Sequence, residues 1–278
     1  INYPDLLMIA NKYQHKPTFP FTPGMEWAGK VIQVGSSVKA YKPGDRVMGV
    51  GGGLAEYKQI HSSSVLSIIP DRLSYTQAAS FWVGFTTAYH CLVERGHLKK
   101  GEWLLVNGGT GGMGMAAILL ARHIGANVIC TGGTDEKLLK VSEFANIPFS
   151  NCINYNKNEQ FSKLVKSKTP NNRGVDIVFD PVGGNPGMEC LRSTTWGARL
   201  LIVGFTSGVH QKYSANYILI KGLTVIGCRA GEYIRRVENG IEKVEIPRRN
   251  ELLKLATNGL VPFISNTYPF TTTGVRNC

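Results

Sequence analysis

The sequence predicts an α/β protein, a doubly wound parallel sheet accompanied by a smaller β-rich domain. Three observations predict it. From about Thr76 to Gly227, short apolar strands alternate with helical stretches, the pattern of a parallel sheet covered on both faces. A glycine-rich turn, Gly109-Thr110-Gly111-Gly112-Met113-Gly114, falls directly between one such strand and the helix after it. Before that region the text is β-like and heavily punctuated, with no long helical period. The chain therefore divides into residues 1–76, 77–228 and 229–278.

In the first segment, Val31-Ile32-Gln33-Val34-Gly35 and Arg46-Val47-Met48-Gly49 are expected strands. Ser36-Ser37 and the turn Lys42-Pro43-Gly44-Asp45 separate them. Ala55-Glu56-Tyr57-Lys58-Gln59-Ile60 alternates like a further strand with one wet face. A helical stretch from Gln77 to Glu94 then leads to strand Trp103–Asn107, the glycine turn and helix Met113–Ile124. Strand Val128–Thr131, helix Glu136–Ala145, strand Cys152–Asn154 and helix Gln160–Ser167 follow. Strands Val175–Asp180, Arg199–Val203 and Leu223–Ile226 complete the series. Beyond Gly227 the text becomes basic, with one amphipathic helix at Arg249–Thr257 and an aperiodic end at residues 271–278.

Bulk properties narrow the function. With 43% hydrophobic and 18% charged residues, 278 residues can build a substantial core. No apolar run approaches the roughly 20 residues that a spanning helix needs. Ile1-Asn2-Tyr3-Pro4 is neither an initiator methionine nor a charged leader. A cytoplasmic location is expected, a mitochondrial one staying open where the N-terminus is missing. The 31 Lys and Arg against 19 Asp and Glu give a net charge of +12, which draws in an anion: a phosphorylated cofactor or nucleic acid. The basic residues are scattered, in pairs no longer than Arg235-Arg236 and Arg248-Arg249, so a solvated basic surface is the plainer expectation. Six cysteines without a C-x-x-C pair are expected to be reduced and buried, as in an intracellular protein.

Gly109, Gly111 and Gly114 match G-x-G-x-x-G in the one context that gives the spacing meaning, strand before and helix after. The first glycine makes the tight turn, the second lets main chain approach a diphosphate, and the third lets helix and strand pack closely. Amides at the helix mouth, Gly112 and Met113 among them, then hold the phosphates. An NAD-selective site would place Asp or Glu at the end of the second strand. Here that strand ends in Gly132-Gly133-Thr134, leaving room for a 2′-phosphate with Lys137 as counter-charge. NADPH is the expected cofactor. Asp135 competes as the missing acid, although capping the next helix with Thr134 is its plainer role.

The six histidines stand in no H-E-x-x-H or C-x-x-C context, and adjacent His90 and Cys91 diverge by about 100° on a helix, so no metal is expected.

These residues resemble the medium-chain dehydrogenase/reductase superfamily, and within it the zinc-free quinone oxidoreductase (zeta-crystallin-like) branch. The resemblance runs from Asn2 to about Phe270. It rests on Thr22-Pro23-Gly24-Met25-Glu26, Gly29-x-Val31-x-x-Val34-Gly35, Gly44-Asp45-Arg46-Val47, Thr87-Ala88-Tyr89, Gly101-Glu102 and Asp180-Pro181-Val182-Gly183-Gly184. Zinc-dependent members carry Gly-His-Glu where this chain has Gly24-Met25-Glu26, and a four-cysteine lobe it lacks. Thr110 and Leu119 depart from the branch's glycine signature, which has a smaller residue and Gln there.

The resemblance implies a Rossmann domain with a GroES-like catalytic domain, and members that extend beyond both ends of this chain. Residues 229–278 would then be a partial return to the catalytic domain, and the chain would be incomplete at its termini. It implies that Lys137 and Tyr155 contact the 2′-phosphate, and that Thr87, Val182 and Gly183 lie beside the nicotinamide. Asn2 and Asp5 match an Asn-x-x-Asp motif facing the active cleft, with Leu7 where some relatives have tyrosine. A turn or cap beside Pro4 is their alternative role. The implied activity is zinc-independent, NADPH-dependent reduction of quinones or conjugated carbonyl acceptors, in a cleft between the two domains, by a homodimer. Two alternatives stand: a 2-enoyl or alkenal double-bond reductase, with Tyr3 or Tyr233 as proton donor, and an NADPH-responsive RNA-binding protein without catalysis.

Overall fold

The computed structural model describes residues 1–232 and 245–276. They form two compact units, Ile1–Val83 with Glu251–Cys278, and Gly84–Asn250. Tyr233 and the pair Arg235-Arg236 lie outside the described residues.

The first unit opens with helix α1 (Tyr3–Ile9), whose Pro4 sits in the first turn, where the missing N–H costs no hydrogen bond. An antiparallel sheet follows, β1 (Glu26–Lys30), β2 (Arg46–Val50) and β3 (Val65–Ile68), in that spatial order. Gly49 is opposite Trp27, and a Cβ there would be 2.4 Å from the indole ring, so the ring lies on bare main chain. The strand expected at Val31–Gly35 is displaced to β1, immediately before it. Val31 pairs across the turn with Asp45 and Gly44, and the residues after it carry no ladder. Ala55–Ile60 is irregular, since its alternation finds no partner strand. The long helix expected from Gln77 is broken into α2 (Tyr75–Ala78), α3 (Trp82–Tyr89) and a widened π turn at His90–Arg95. Ser80 marks the first break, its hydroxyl donating back to the carbonyls of Thr76 and Gln77.

The second unit is a six-stranded parallel sheet. Its strands are β4 (Trp103–Val106), β5 (Asn127–Gly132), β6 (Cys152–Asn154), β7 (Val175–Asp180), β8 (Thr194–Ile202) and β9 (Thr224–Gly227). Their spatial order is β6-β5-β4-β7-β8-β9, so the chain reverses direction across the sheet between β4 and β7. Leu105, Ile129, Ile153, Val178 and Leu200 bring one apolar side chain from each of five strands into a single core. Helices α4 (Gly112–Ile124), α5 (Asp135–Ala145), α6 (Ser162–Ser167), α7 (Gly184–Arg192) and α8 (Ala215–Lys221) make the crossovers. The sequence pattern missed α7, whose first turns hold Gly184, Pro186 and Gly187, and α8. Helix α9 (Glu245–Thr257) and α10 (Thr272–Arg276) follow, the latter where no element was expected. No described helix is long and apolar enough to cross a membrane.

Candidate functional site

The site grows from the carboxyl ends of β4 and β7, the point where strand order reverses and where open α/β sheets leave a crevice. Gly109 donates to the Thr131 carbonyl at 2.8 Å, tying the turn to β5. A Cβ at Gly114 would fall 2.3 Å from the Gly108 carbonyl oxygen and 2.8 Å from the Gly109 Cα. Only a bare main chain lets α4 start so close to β4. On the outer side the geometry is the opposite. A Cβ at Gly112 would meet nothing within 4 Å, and one at Gly111 would reach only the Gly108 oxygen, 3.7 Å away. Gly111 is the N-cap of α4, in extended backbone, and offers no side-chain acceptor. The amides of Gly112, Met113 and Gly114 therefore head a 13-residue helix without a protein cap. This cradle has the shape and the charge for a diphosphate.

Beneath it runs a buried polar chain. Thr131 Oγ1 accepts from Gly108 N at 3.2 Å and donates to Asn107 Oδ1 at 2.8 Å. Asn107 Nδ2 donates to Asp180 Oδ1 at 2.8 Å. The same Asp180 oxygen accepts from Val182 N and Gly183 N, each at 3.0 Å. Gln211 Nε2 donates to Asp180 Oδ2 at 3.1 Å. Burial raises the Asp180 carboxyl above its ordinary value, against the pull of these donors. Gly183, at φ 73°, caps α7 and touches Gln211, Phe205 and Val209 at the place a Cβ would occupy. Val182 in turn fills the space over Gly108, where a Cβ would be 2.7 Å from its Cγ2. The glycine turn and the Val182-Gly183 turn thus touch, and one carboxylate holds the second of them. Thr87 is half-buried on α3, three residues after Gly84, whose bare Cα faces Ala116 and the Gly112 carbonyl of α4.

The second-strand end is closed at Gly132, where a Cβ would stand 2.6 Å from Thr110 Cγ2, and only Gly133 and Thr134 beyond it reach the surface. Thr134 caps α5, its hydroxyl accepting from Lys137 N at 3.3 Å. Tyr155 places its hydroxyl 3.3 Å from where a Gly133 Cβ would stand. Lys137 is exposed on the first turn of α5. Asp135 is occupied: its carboxylate accepts from Asn154 Nδ2 at 2.7 Å and Lys157 Nζ at 2.5 Å. Those contacts, the Lys157 ammonium foremost, hold its carboxyl below the ordinary value. Gly133, Thr134 and Tyr155 thus lie at one corner, with Lys137 exposed on the adjoining turn and the nearby Asp135 carboxylate already engaged by Asn154 and Lys157.

In the first unit, both Asp5 oxygens are engaged by main chain. Gly24 N donates to Oδ1 at 3.0 Å, while Asn2 N and Met25 N donate to Oδ2 at 2.9 and 3.3 Å. Asn2 Nδ2 donates to Glu26 Oε1 at 2.9 Å, and Val83 N reaches the other Glu26 oxygen at 3.0 Å. Burial raises the Glu26 carboxyl above its ordinary value. Asp5 therefore clamps the turn at Gly24-Met25, and its geometry is that of an anchor. Among the described residues no three His, Cys, Asp or Glu side chains cluster as a metal would require. Sequence reasoning missed Asn107 and Gln211. Asn107, a lone amide closing an apolar strand, carried a signal; Gln211, in an aperiodic loop, carried none.

Two families match the chain: the alcohol dehydrogenase GroES-like domain over residues 1–71 and zinc-binding dehydrogenase over residues 112–245. Quinone oxidoreductase-like protein 2 of Bos taurus is 36% identical over 239 residues, covering 84% of this chain and 66% of its own length. The chain spans between 63% and 66% of the length of the curated relatives of this kind that it matches. A mycobacterial protein solved in complex with NADPH superposes with a TM-score of 0.82 at 26% identity, over 100% of this chain and 83% of that one. The quinone oxidoreductase of Escherichia coli, also complexed with NADPH, gives 0.78 at 27% identity, over 97% and 81%.

Proposed function

From a chain that belongs to the medium-chain dehydrogenase/reductase superfamily, in its quinone oxidoreductase branch, we propose an NADPH-dependent reductase of quinones or conjugated carbonyl acceptors that works without zinc. The observation that carries the proposal is the uncapped start of α4 over Gly111 and Gly112, with the one carboxylate at the neighbouring strand end, Asp135, already engaged by Asn154 and Lys157. The NADPH complexes of two structural relatives support it.

When bound, NADPH supplies a hydride for an electron-poor acceptor. The protein's own part is to bind, orient and shield. The amides of Gly112, Met113 and Gly114 would hold the diphosphate, with Gly111 keeping a side chain out of its way and Gly109 letting the turn pack onto Cys130 and Ile118. Lys137, with the hydroxyls of Thr134 and Tyr155, takes the 2′-phosphate. Thr87, Val182 and Gly183 would flank the nicotinamide end, the latter two fixed by the Asp180 clamp. We assign Asn2 and Asp5 to shaping the acceptor site, Asp5 acting as a positioning residue because its oxygens are already engaged. A quinone suits such a site, since its reduced oxygens take protons readily from water. A conjugated double bond needs a proton delivered to carbon, and Tyr3, exposed on α1, is the described candidate.

NADPH oxidation followed separately with a quinone and with an enone tests the proposal. Consumption with the quinone is expected, unchanged after dialysis against a chelator, and none with either acceptor would remove it. Lys137→Ala should weaken NADPH binding roughly tenfold, the worth of one charge-assisted contact, and leave NADH affinity within about twofold. Fluorescence titration with both cofactors reads this, and an equal loss for each would exclude Lys137 as the 2′-phosphate ligand.

A further inference from the structure

We propose that Cys130 and Cys152 form an oxidisable dithiol beneath the glycine turn, converted to a disulfide by a hydroperoxide, and that the disulfide weakens dinucleotide binding. The two residues are register partners in the parallel pair β5·β6, where strands stand about 4.8 Å apart. That spacing lies inside the Cα separation a disulfide accepts, and side chains opposite each other share a face of the sheet. The Cys130 thiol donates to the Cys152 sulfur at 3.6 Å, so the sulfurs need approach only to about 2.05 Å.

The two sulfurs differ in the way a reactive pair requires. Cys130 is fully buried. Cys152 is half-buried, with its sulfur also at 3.9 Å from the Pro148 carbonyl on an exposed side. The Cys130 thiol beside it, and next the Lys168 ammonium, hold the Cys152 thiol below its ordinary range, while the same contact and burial push Cys130 up. Cys152 is therefore the attacking sulfur and Cys130 the resolving one.

The chemistry balances without any group from the proposed dinucleotide site. The Cys152 thiolate attacks the hydroperoxide, the O–O bond breaks, and sulfenic acid and an alcohol form. The Cys130 sulfur attacks the Cys152 sulfur, the S–O bond breaks, and the departing hydroxide leaves as water with the Cys130 proton. Two thiols are oxidised to one disulfide as the peroxide is reduced.

The link to the turn is steric. An ideal Cβ at Gly109 would lie 2.7 Å from the Cys130 Cβ, 2.9 Å from Ile118 Cδ1 and 3.3 Å from the Cys130 sulfur, so Cys130 and Ile118 together make the floor on which the first glycine rests. Drawing the sulfur toward Cys152 takes away one of the three contacts of that floor and pulls on the Cys130 Cβ, the nearest of them. The next residue, Thr131, carries the hydrogen bonds to Gly108 N and Gly109 N, which shift with it. This coupling rests on the dinucleotide site proposed above; the dithiol chemistry does not.

The test oxidises the reduced full chain with hydrogen peroxide and examines it by intact mass, peptide mapping and NADPH titration. Loss of two hydrogen masses, a crosslinked peptide joining Cys130 to Cys152, and NADPH affinity about fivefold or more weaker are expected, all reversed by dithiothreitol. Cys152→Ser should abolish both the crosslink and the affinity change. Cys130→Ser should leave a sulfenic acid on Cys152 that dimedone traps. A crosslink of Cys152 to a cysteine other than Cys130, or over-oxidation of Cys152 without any crosslink, overturns the dithiol. A Cys130–Cys152 crosslink with unchanged affinity overturns the coupling alone. Failure of the reduced protein to bind NADPH, with the crosslink still forming, strikes the proposed function and leaves the dithiol standing.

Discussion

Gly114→Ala is expected to destabilise the protein by about 1–3 kcal/mol and to weaken NADPH binding by roughly tenfold or more, whereas Gly111→Ala should do only the second. The distinction comes from what each added methyl would meet. At Gly114 it lands 2.3 Å from the Gly108 carbonyl oxygen and 2.8 Å from the Gly109 Cα, backbone that cannot swing aside. Helix α4 must then lift from β4, which breaks the turn as well as its packing. At Gly111 the methyl has no neighbour closer than 3.7 Å, and φ is −86°, so the fold accepts it within about 0.5 kcal/mol. The methyl occupies the space assigned to the diphosphate. Thermal unfolding and NADPH titration of the two variants separate the roles. Undiminished affinity in Gly111→Ala would remove the diphosphate from this cradle.

The second large effect concerns Asp180. Asp180→Ala should destabilise by about 3–5 kcal/mol, because Asn107 Nδ2, Val182 N, Gly183 N and Gln211 Nε2 lose a buried acceptor together. Asp180→Asn should be far milder, near 1 kcal/mol. Three of the donors meet one oxygen, Oδ1, which the amide retains. Only the bond from Gln211 is lost, and the Gln211 side-chain oxygen is buried without a hydrogen-bond partner. Turning the Gln211 amide over lets its oxygen accept from the amide nitrogen introduced by the substitution. The pH dependence has a definite sign. Burial raises the folded carboxyl above its ordinary 3.8, so Asp180 contributes stability at low pH that is lost as pH rises through the folded value. The Asn variant lacks this contribution, and its deficit relative to wild type should shrink as pH rises above 3.8. Chemical denaturation of both variants across that range reads the result. Equal damage from Ala and Asn would mean that the carboxylate's charge, rather than its acceptor geometry, holds the turn.

The parts legible in the sequence were those governed by short-range physics. The run from Trp103 to Asp180 was placed to within about two residues, because each strand is apolar on both faces and each helix has its own cap or period. The glycine turn was legible for the same reason, its spacing being a local mechanical demand. Helix α7 was not, since Gly184, Pro186 and Gly187 weaken its first turns and only its packing on the sheet sustains it. The β unit was half legible. Ala55–Ile60 has strand alternation but no partner to pair with, and pairing is a non-local property. Asp180 appeared as part of a motif, yet its role as the hub joining Asn107, Val182, Gly183 and Gln211 depends on residues 73 and 31 positions away in the chain. The pairing of Cys130 with Cys152 depends likewise on strand register.

The bare start of α4 has a thermodynamic consequence. Without a side chain from Gly111 to cover them, the leading amides must be served by solvent until an anion arrives. A dinucleotide therefore completes the helix as well as occupying it, and its arrival should be felt along the segment. Saturation at a hundred times the dissociation constant would add about 2.7 kcal/mol to global stability. Slowed hydrogen exchange should be concentrated at the amides of residues 112–114, the signature of a ligand serving as part of the secondary structure.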